Sequence, residues 1–177
     1  ETPPETVVLP LQRAWAWMAE MKGGVLTTPC VREGTVYVAS TDGSVQAFAV
    51  PTGQRLWGYS SRQHDFRHTP QVVGDELVLL DAGGAIVRLR LNNGKEVPPE
   101  KLAPTALPTP PVSGLVSPPL FADLPLQGGW HCLVGDSRGR IACLSVKDGA
   151  TRWVYDTRTN YPAEAKGVYL DRAIYFA

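Results

Sequence analysis

The sequence predicts an all-β fold of β-propeller blades, four-stranded antiparallel meanders, about three and a half of them, forming part of a larger or completed ring. Three observations predict it. A proline-to-glycine unit recurs along the chain, a second glycine follows each first one after 10 residues, and a Trp stands four residues beyond that second glycine in two of the three units. Self-similarity at a period of roughly 40 residues, with several turn signals in each period, marks stacked repeats of short strands.

The unit opens with a proline and a β-rich apolar run. Residues 29–38 (PCVREGTVYV) align with residues 70–79 (PQVVGDELVL), and both reach a glycine 14 residues after the proline, Gly43 and Gly84. The third unit starts at Pro119 and reaches Gly139 after 20 residues, with extra residues in the turn around Asp123 to Gly128. From these glycines the matching intervals run to Gly53, Gly94 and Gly149. Trp57 follows in QRLWGY and Trp153 in ATRWVY, while the middle unit places Pro98 at the Trp position.

Each glycine has a local reason. A hairpin turn needs positive φ, which glycine supplies without steric penalty, and two-residue turns are the favoured connections. Asp42-Gly43, Gly83-Gly84 and Arg138-Gly139 close one hairpin per unit; Thr52-Gly53, Asn93-Gly94 and Asp148-Gly149 close the next; Glu33-Gly34 and Gly74-Asp75 close the one before. Three successive hairpins make a four-stranded meander. In the first unit its strands are 28–32, 35–40, 44–50 and 54–59. The chain is then a single propeller segment, 1–177, with blades at about 25–59, 66–97 and 116–157 and a partial blade at 163–177. The Pro-rich stretch 97–116 reads as an extended inter-blade connection.

Gly53 and Gly149 with Trp57 and Trp153 are the expected blade-docking residues. A Trp on an outer strand buries a large ring against the neighbouring blade, and truncating such a residue to Ala typically costs about 3–5 kcal/mol. Arg13-Ala14-Trp15 resembles the outer-strand segment that precedes a unit, and 167–177 reads like the first two strands of another. Both termini therefore look cut from a longer array. Unpaired faces at the ends of such an array expose apolar surface and strand edges, so additional blades, another chain or self-association is expected to close the ring.

Composition narrows the function classes. Lys plus Arg and Asp plus Glu are both 17, so no basic footprint argues for nucleic acid. Gly at 17 and Pro at 16 beside 44% apolar residues suit short strands and tight turns rather than disorder. No apolar run approaches the roughly 20 residues of a membrane-spanning helix. The opening ETPPETVVLP lacks a basic region followed by an apolar one, although a signal or lipid anchor removed before Glu1 would leave no trace here.

Residues 42–59 (DGSVQAFAVPTGQRLWGY) and 138–155 (RGRIACLSVKDGATRWVY) resemble the pyrroloquinoline-quinone-type, or quinoprotein-like, propeller repeat. That family carries an Ala-x-Asp-x-x-x-Gly-x-x-x-Trp signature whose tryptophan docks neighbouring blades. Ala47, Gly53 and Trp57 fit it, as do Gly149 and Trp153; Ala49 and Ser145 stand at the Asp position and Cys143 at the Ala position. The resemblance covers nearly all of residues 12–177. The same blade serves quinone-dependent dehydrogenases, sensor domains of kinases and, closest in character, the propeller lipoprotein of the outer-membrane β-barrel assembly machine. Fold therefore does not choose among functions. The resemblance, and not the residues, points to the periplasm.

Catalytic chemistry finds little footing. A quinone enzyme needs a calcium site of Glu, Asn and Asp, a stacking Trp, a catalytic Asp and an adjacent Cys pair; that pair is absent, and Asp42, Asp75 and Asp148 stand at turns, where Asp serves turn geometry. No catalytic, cofactor or metal residue is assigned. His64 and His68 are four apart, a metal spacing only on a helix, and SRQHDFRHTP reads as a loop. The loop is the expected partner-contact patch, His64 and His68 with Phe66 and Arg67 as anchors, since aromatic and Arg residues carry most interface energy. For Cys132 and Cys143 two readings stand. If 135–140 is the hairpin end, they oppose each other and can form a cross-strand disulfide, which requires an oxidising compartment; otherwise they are two buried thiols.

These readings lead to a non-catalytic scaffold that binds a protein or peptide partner through a loop face, in an extracytoplasmic setting such as envelope assembly. A fragment of a quinone-dependent dehydrogenase is one alternative, predicting cofactor and calcium binding by the full-length protein. The sensor domain of a signalling protein is the other, predicting a membrane helix elsewhere.

Overall fold

The computed structural model of the chain describes residues 17–100, 114–124, 128–158, 161–163, 167–170 and 173–175. Trp15 and residues 101–113 of the Pro-rich connection lie outside the described residues. Among the described residues the chain is all β, with no helix: β1 (Cys30–Arg32), β2 (Thr35–Ala39), β3 (Ser44–Ala49), β4 (Arg55–Ser60), β5 (Gln71–Val73), β6 (Glu76–Leu80), β7 (Ile86–Arg90), β8 (Leu120–Leu124), β9 (Gly129–Gly135), β10 (Arg140–Ser145), β11 (Thr151–Asp156), β12 (Val168–Leu170) and β13 (Ala173–Tyr175). They form consecutive antiparallel meanders, β1-β2-β3-β4, β5-β6-β7, β8-β9-β10-β11 and β12-β13. This is the propeller-blade architecture.

Alternation in the strands explains the stacking. Val45 and Ala47 on β3, with Tyr37 and Ala39 on β2, pack in one core with Leu77, Leu79, Val87 and Leu89 of the second sheet. Leu80 packs with Cys132, Val134, Ala142 and Leu144 between the second and third sheets. Ala122, Leu124, Leu133 and Cys143 face Tyr169 and Ile174 of the last. Both faces of a middle sheet are thus covered, the condition under which short strands without helices gain enough burial to fold.

The turns differ from expectation in length. Glu33-Gly34 is a two-residue turn with both residues at positive φ, 48° and 75°, the combination that matches strand twist. The turns at Gly43, Gly84 and Gly139 are longer loops. Gly43 N–H donates to the Ser40 carbonyl (3.1 Å), Gly84 to Asp81 (3.0 Å) and Gly139 to Asp136 (3.2 Å), and each loop is closed again one residue later. A left-handed glycine at the end of a longer hairpin loop is the standard alternative to the two-residue turn.

That change of loop length decides the cysteine pair. Cys132 opposes Leu144 and Cys143 opposes Leu133. The expected direct opposition is off by one residue, and in a strand a one-residue slip moves a side chain to the other face. Cys132 lies between the second and third sheets and Cys143 between the third and fourth. No disulfide joins them, and both are buried thiols. Burial pushes the Cys143 thiol up to about 12 and the Cys132 thiol higher still.

The second sheet also departs from the four-strand plan. Its fourth strand is reduced to a bridge between Leu89 and Glu96, with Val97 N–H donating to the Arg88 carbonyl (2.8 Å). Pro98 and Pro99 follow, and proline has no N–H to continue the ladder.

Candidate partner-binding surface

In a meander the turns alternate between the two ends of the strands. One face of the molecule therefore carries the turns 33–34, 50–53, 74–75, 91–94 and 146–149; the other carries 40–43, 81–84, 136–139 and the crossing 61–70. The crossing is pinned at both sides. Ser61 N–H donates to the Gly43 carbonyl (3.0 Å), and the Asp65 carbonyl accepts from Ala82 N–H (2.8 Å).

Within the crossing the structure separates the four residues expected to meet a partner. Phe66 is 0% exposed and belongs to the core between the first and second sheets, so it is not a surface anchor. Sequence alone could not tell a buried aromatic from a presented one in a loop that folds back over the gap between sheets. His64 stacks on Phe66, with ring centroids 5.6 Å apart, and its Nδ1 meets Asp81 Oδ2 at 2.8 Å. His64 is therefore occupied in closing the crossing onto the next sheet. His68 is half-buried, and burial lowers its pKa against the opposing attraction of Asp81 and Asp65. Arg67 remains presented: its side chain is 58% exposed and donates from Nε to Asp65 Oδ2 at 2.7 Å. Arg62 and Gln63 beside it are exposed, and Asp65 Oδ1 is a buried acceptor with no donor among the described residues.

Of the four expected docking residues, Trp57, Gly53 and Trp153 lie at packed joints. Gly149 is exposed and, among the described residues, has no ring over it, because the preceding unit carries Pro98 in place of a tryptophan. A bulge in the β3–β4 ladder leaves Leu56 unpaired and sets Trp57 opposite Ala47 on the core face. Trp57 Nε1 then donates to the Leu91 carbonyl of the next sheet at 2.7 Å, and its ring lies over Gly94. The ring over Gly53 is that of Trp17, whose Nε1 donates to the Val50 carbonyl at 2.8 Å. Trp17 thus repeats Trp57 one unit earlier. Trp153 occupies the matching bulge, opposite Cys143, and packs against the last core cluster.

At the joint between the second and third sheets the donor has moved. Pro98 holds the tryptophan position, and Arg88, at the place of Ala47 and Cys143, reaches across instead: Nη1 donates to the Lys147 carbonyl at 2.6 Å while Nε donates to Glu76 Oε2 at 2.7 Å. Glu100 N–H donates to the same carbonyl (3.3 Å), and Glu100 pairs with Lys147 Nζ at 2.9 Å. Arg88 carried no sequence signal beyond its place opposite the anomalous proline.

The carboxylates are consumed locally. Asp81 Oδ1 accepts from Gly83 and Ala85 N–H. Asp136 Oδ1 accepts from Arg138 and Arg140 N–H at 2.9 Å, and Oδ2 binds the Arg140 guanidinium. Burial works to raise the Asp136 pKa, but these donors outweigh it and hold the carboxyl below its ordinary range; Asp148 follows the same balance with Ala150, Ser145 and Arg152. Among the described residues no three His, Cys, Asp or Glu side chains gather where they could share a metal ion. The geometry is that of a rigid surface held by turn-capping carboxylates.

The model of the family described as outer membrane protein assembly factor BamB matches residues 13–107, more than half of the chain. The chain belongs to this family. The outer membrane protein assembly factor BamB of Burkholderia pseudomallei (strain K96243) is 29% identical over 146 residues, 77% of this chain and 36% of that protein. BamB from Moraxella catarrhalis superimposes with a TM-score of 0.64 at 20% identity, over 92% of this chain and 49% of that one. The computationally designed Ika4 protein matches with a TM-score of 0.66 at 14% identity, over 94% and 92%. A quinohemoprotein alcohol dehydrogenase from Pseudomonas putida HK5 matches with a TM-score of 0.52 at 19% identity, over 84% and 30%. At these identities the solved structures share the fold alone. The chain spans half or less of the length of the BamB relatives.

Proposed function

We propose that this BamB-family chain is a non-catalytic propeller scaffold that holds a protein or peptide partner through its loops, in outer-membrane protein assembly outside the cytoplasm. Family membership carries the reading. The relatives are outer membrane protein assembly factors, and a rigid stack of sheets presents a large surface with little ordering cost on binding. The contact patch is the crossing on the 61–70 face. There Arg62, Gln63, Arg67 and His68 are the residues offered, with Phe66 and His64 as the support that fixes their position. Arg supplies planar hydrogen-bonding forks suited to carboxylate or backbone acceptors on a partner.

Deleting the native gene in its host and measuring folded outer-membrane β-barrels tests this. The wild-type gene should restore barrel levels, and an R62E/R67E version that accumulates normally should not. Unchanged barrel levels on deletion would sink the reading. Tight binding of pyrroloquinoline quinone with calcium by the full gene product would favour the dehydrogenase fragment instead.

A further inference from the structure

The turn at residues 145–150 is built as a tryptophan seat, yet among the described residues no tryptophan lies on it. The three corresponding turns have the same frame. Gly53, Gly94 and Gly149 stand at φ of 70°, 68° and 71°. Their N–H groups donate to Ala49, Arg90 and Ser145 at 2.8, 2.9 and 2.9 Å, and the N–H groups of Val50, Leu91 and Val146 donate to Gly34, Asp75 and Trp130 at 2.8, 3.0 and 3.0 Å.

On the first two turns an indole covers the glycine. A Cβ on Gly53 would fall 2.5 Å from Trp17 ring carbons, and one on Gly94 would collide with the Trp57 ring; the indole N–H groups bond Val50 and Leu91. On the third, among the described residues, nothing lies within 4 Å of a Cβ built on Gly149, and Gly149 is exposed where Gly94 is buried. The cause is in the sequence: the preceding unit has Pro98 where the ring would originate. The joint does not need the ring, because Arg88 and Glu100 already tie the second sheet to Lys147.

We infer that this open turn receives a tryptophan side chain from a protein partner. The ring would lie on Gly149 and its N–H would donate to the Val146 carbonyl, the counterpart of the Val50 and Leu91 acceptors. The two occupied turns of the same chain define the fit, and the site continues an existing inter-sheet joint. Lys147 and Glu100, paired at its rim, carry opposite charges, so the fitting partner segment is neutral around its aromatic residue. This rests on the scaffold reading for the existence of a partner. It lies on the face opposite the 61–70 crossing, so charge reversal at Arg62 and Arg67 and closure of the seat test the two separately.

The test is a titration of the 15N-labelled chain with N-acetyl-tryptophanamide, followed by amide shifts. A single ring on an open seat should bind with a Kd on the order of 1 mM. Saturable shifts are expected at Val146, Lys147 and Gly149, at least about fivefold weaker with N-acetyl-leucinamide, since the smaller side chain lacks both the flat ring and the N–H. G149N, whose Asn tolerates the left-handed backbone but fills the space above it, should abolish them while leaving the rest of the spectrum in place. P98W should supply the ring in cis, abolish probe binding and raise the unfolding midpoint by about 4 °C or more. Shifts that are absent, or that persist in G149N, would overturn the inference. So would a folded P98W that binds the probe as before.

Discussion

Trp57 and Gly94 are in contact across two sheets: the indole of one covers the α-carbon of the other, and the ring N–H reaches the Leu91 carbonyl at 2.7 Å. Gly94→Ala therefore meets two obstacles, a left-handed φ of 68° and the ring. Gly149→Ala meets only the first. A left-handed backbone costs a non-glycine residue about 1–2 kcal/mol, and overpacking adds about 1–3 kcal/mol. Urea unfolding should show Gly94→Ala as the more damaging variant by that second amount; equal effects would mean the ring does not bear on the glycine.

Arg88 should be costly to remove despite its ordinary look in sequence. Its guanidinium is the partner of Glu76, both side chains being about one-eighth exposed, at 12% and 13%, and it crosses to the Lys147 carbonyl of the next sheet. Arg88→Met keeps the stem and removes the fork, leaving Glu76 with the more distant Arg90 at 3.4 Å. We expect a loss of about 3 kcal/mol in urea unfolding, largely recovered in the Arg88→Met/Glu76→Gln double variant. No recovery would assign the effect to packing.

Acid should weaken the fold in two stages. His68 has its pKa lowered by burial, so the unfolded chain takes a proton at higher pH than the folded one; its contribution is complete above about pH 6.5 and is lost as pH falls from there toward the folded value. Asp136 and Asp148 are also lowered, and what they contribute is present above about pH 3.8 and lost as pH falls below it. Unfolding free energies measured across this range should slope downward in both windows. His68→Gln should flatten the upper one, and Asp136→Asn should shrink the lower one.

Thiol counting separates the two cysteine readings chemically. The denatured, unreduced chain should titrate as three thiols. In the native state Cys30, half-buried, should alkylate ahead of Cys132 and Cys143, whose burial raises their pKa and blocks reagent. A count of one would restore the cross-strand bridge.

Local requirements were legible in the residues. The recurring glycines are required where the backbone turns left-handed, and every one singled out for a hairpin except Gly83 has positive φ. Trp57 was legible because a large ring at a fixed offset from such a glycine has few other uses. Residues whose role depends on a different sheet were not. Trp17 needed the position of Val50, Arg88 needed that of Lys147, and Phe66 needed the gap into which its loop folds.

The sequence by itself determined the repeat, the order of strands and turns within a unit and the fixed spacing from turn glycine to tryptophan, because each follows from backbone allowance within about 40 consecutive residues. Only the tertiary structure decided which face each side chain meets. A loop one residue longer put Cys132 and Cys143 on opposite sides of one sheet, and stacking turned Phe66 from a surface aromatic into core while leaving Gly149 uncovered. Face and neighbour are properties of how sheets are registered and stacked, and a two-residue alternation reverses with every single-residue change in the turn that precedes it.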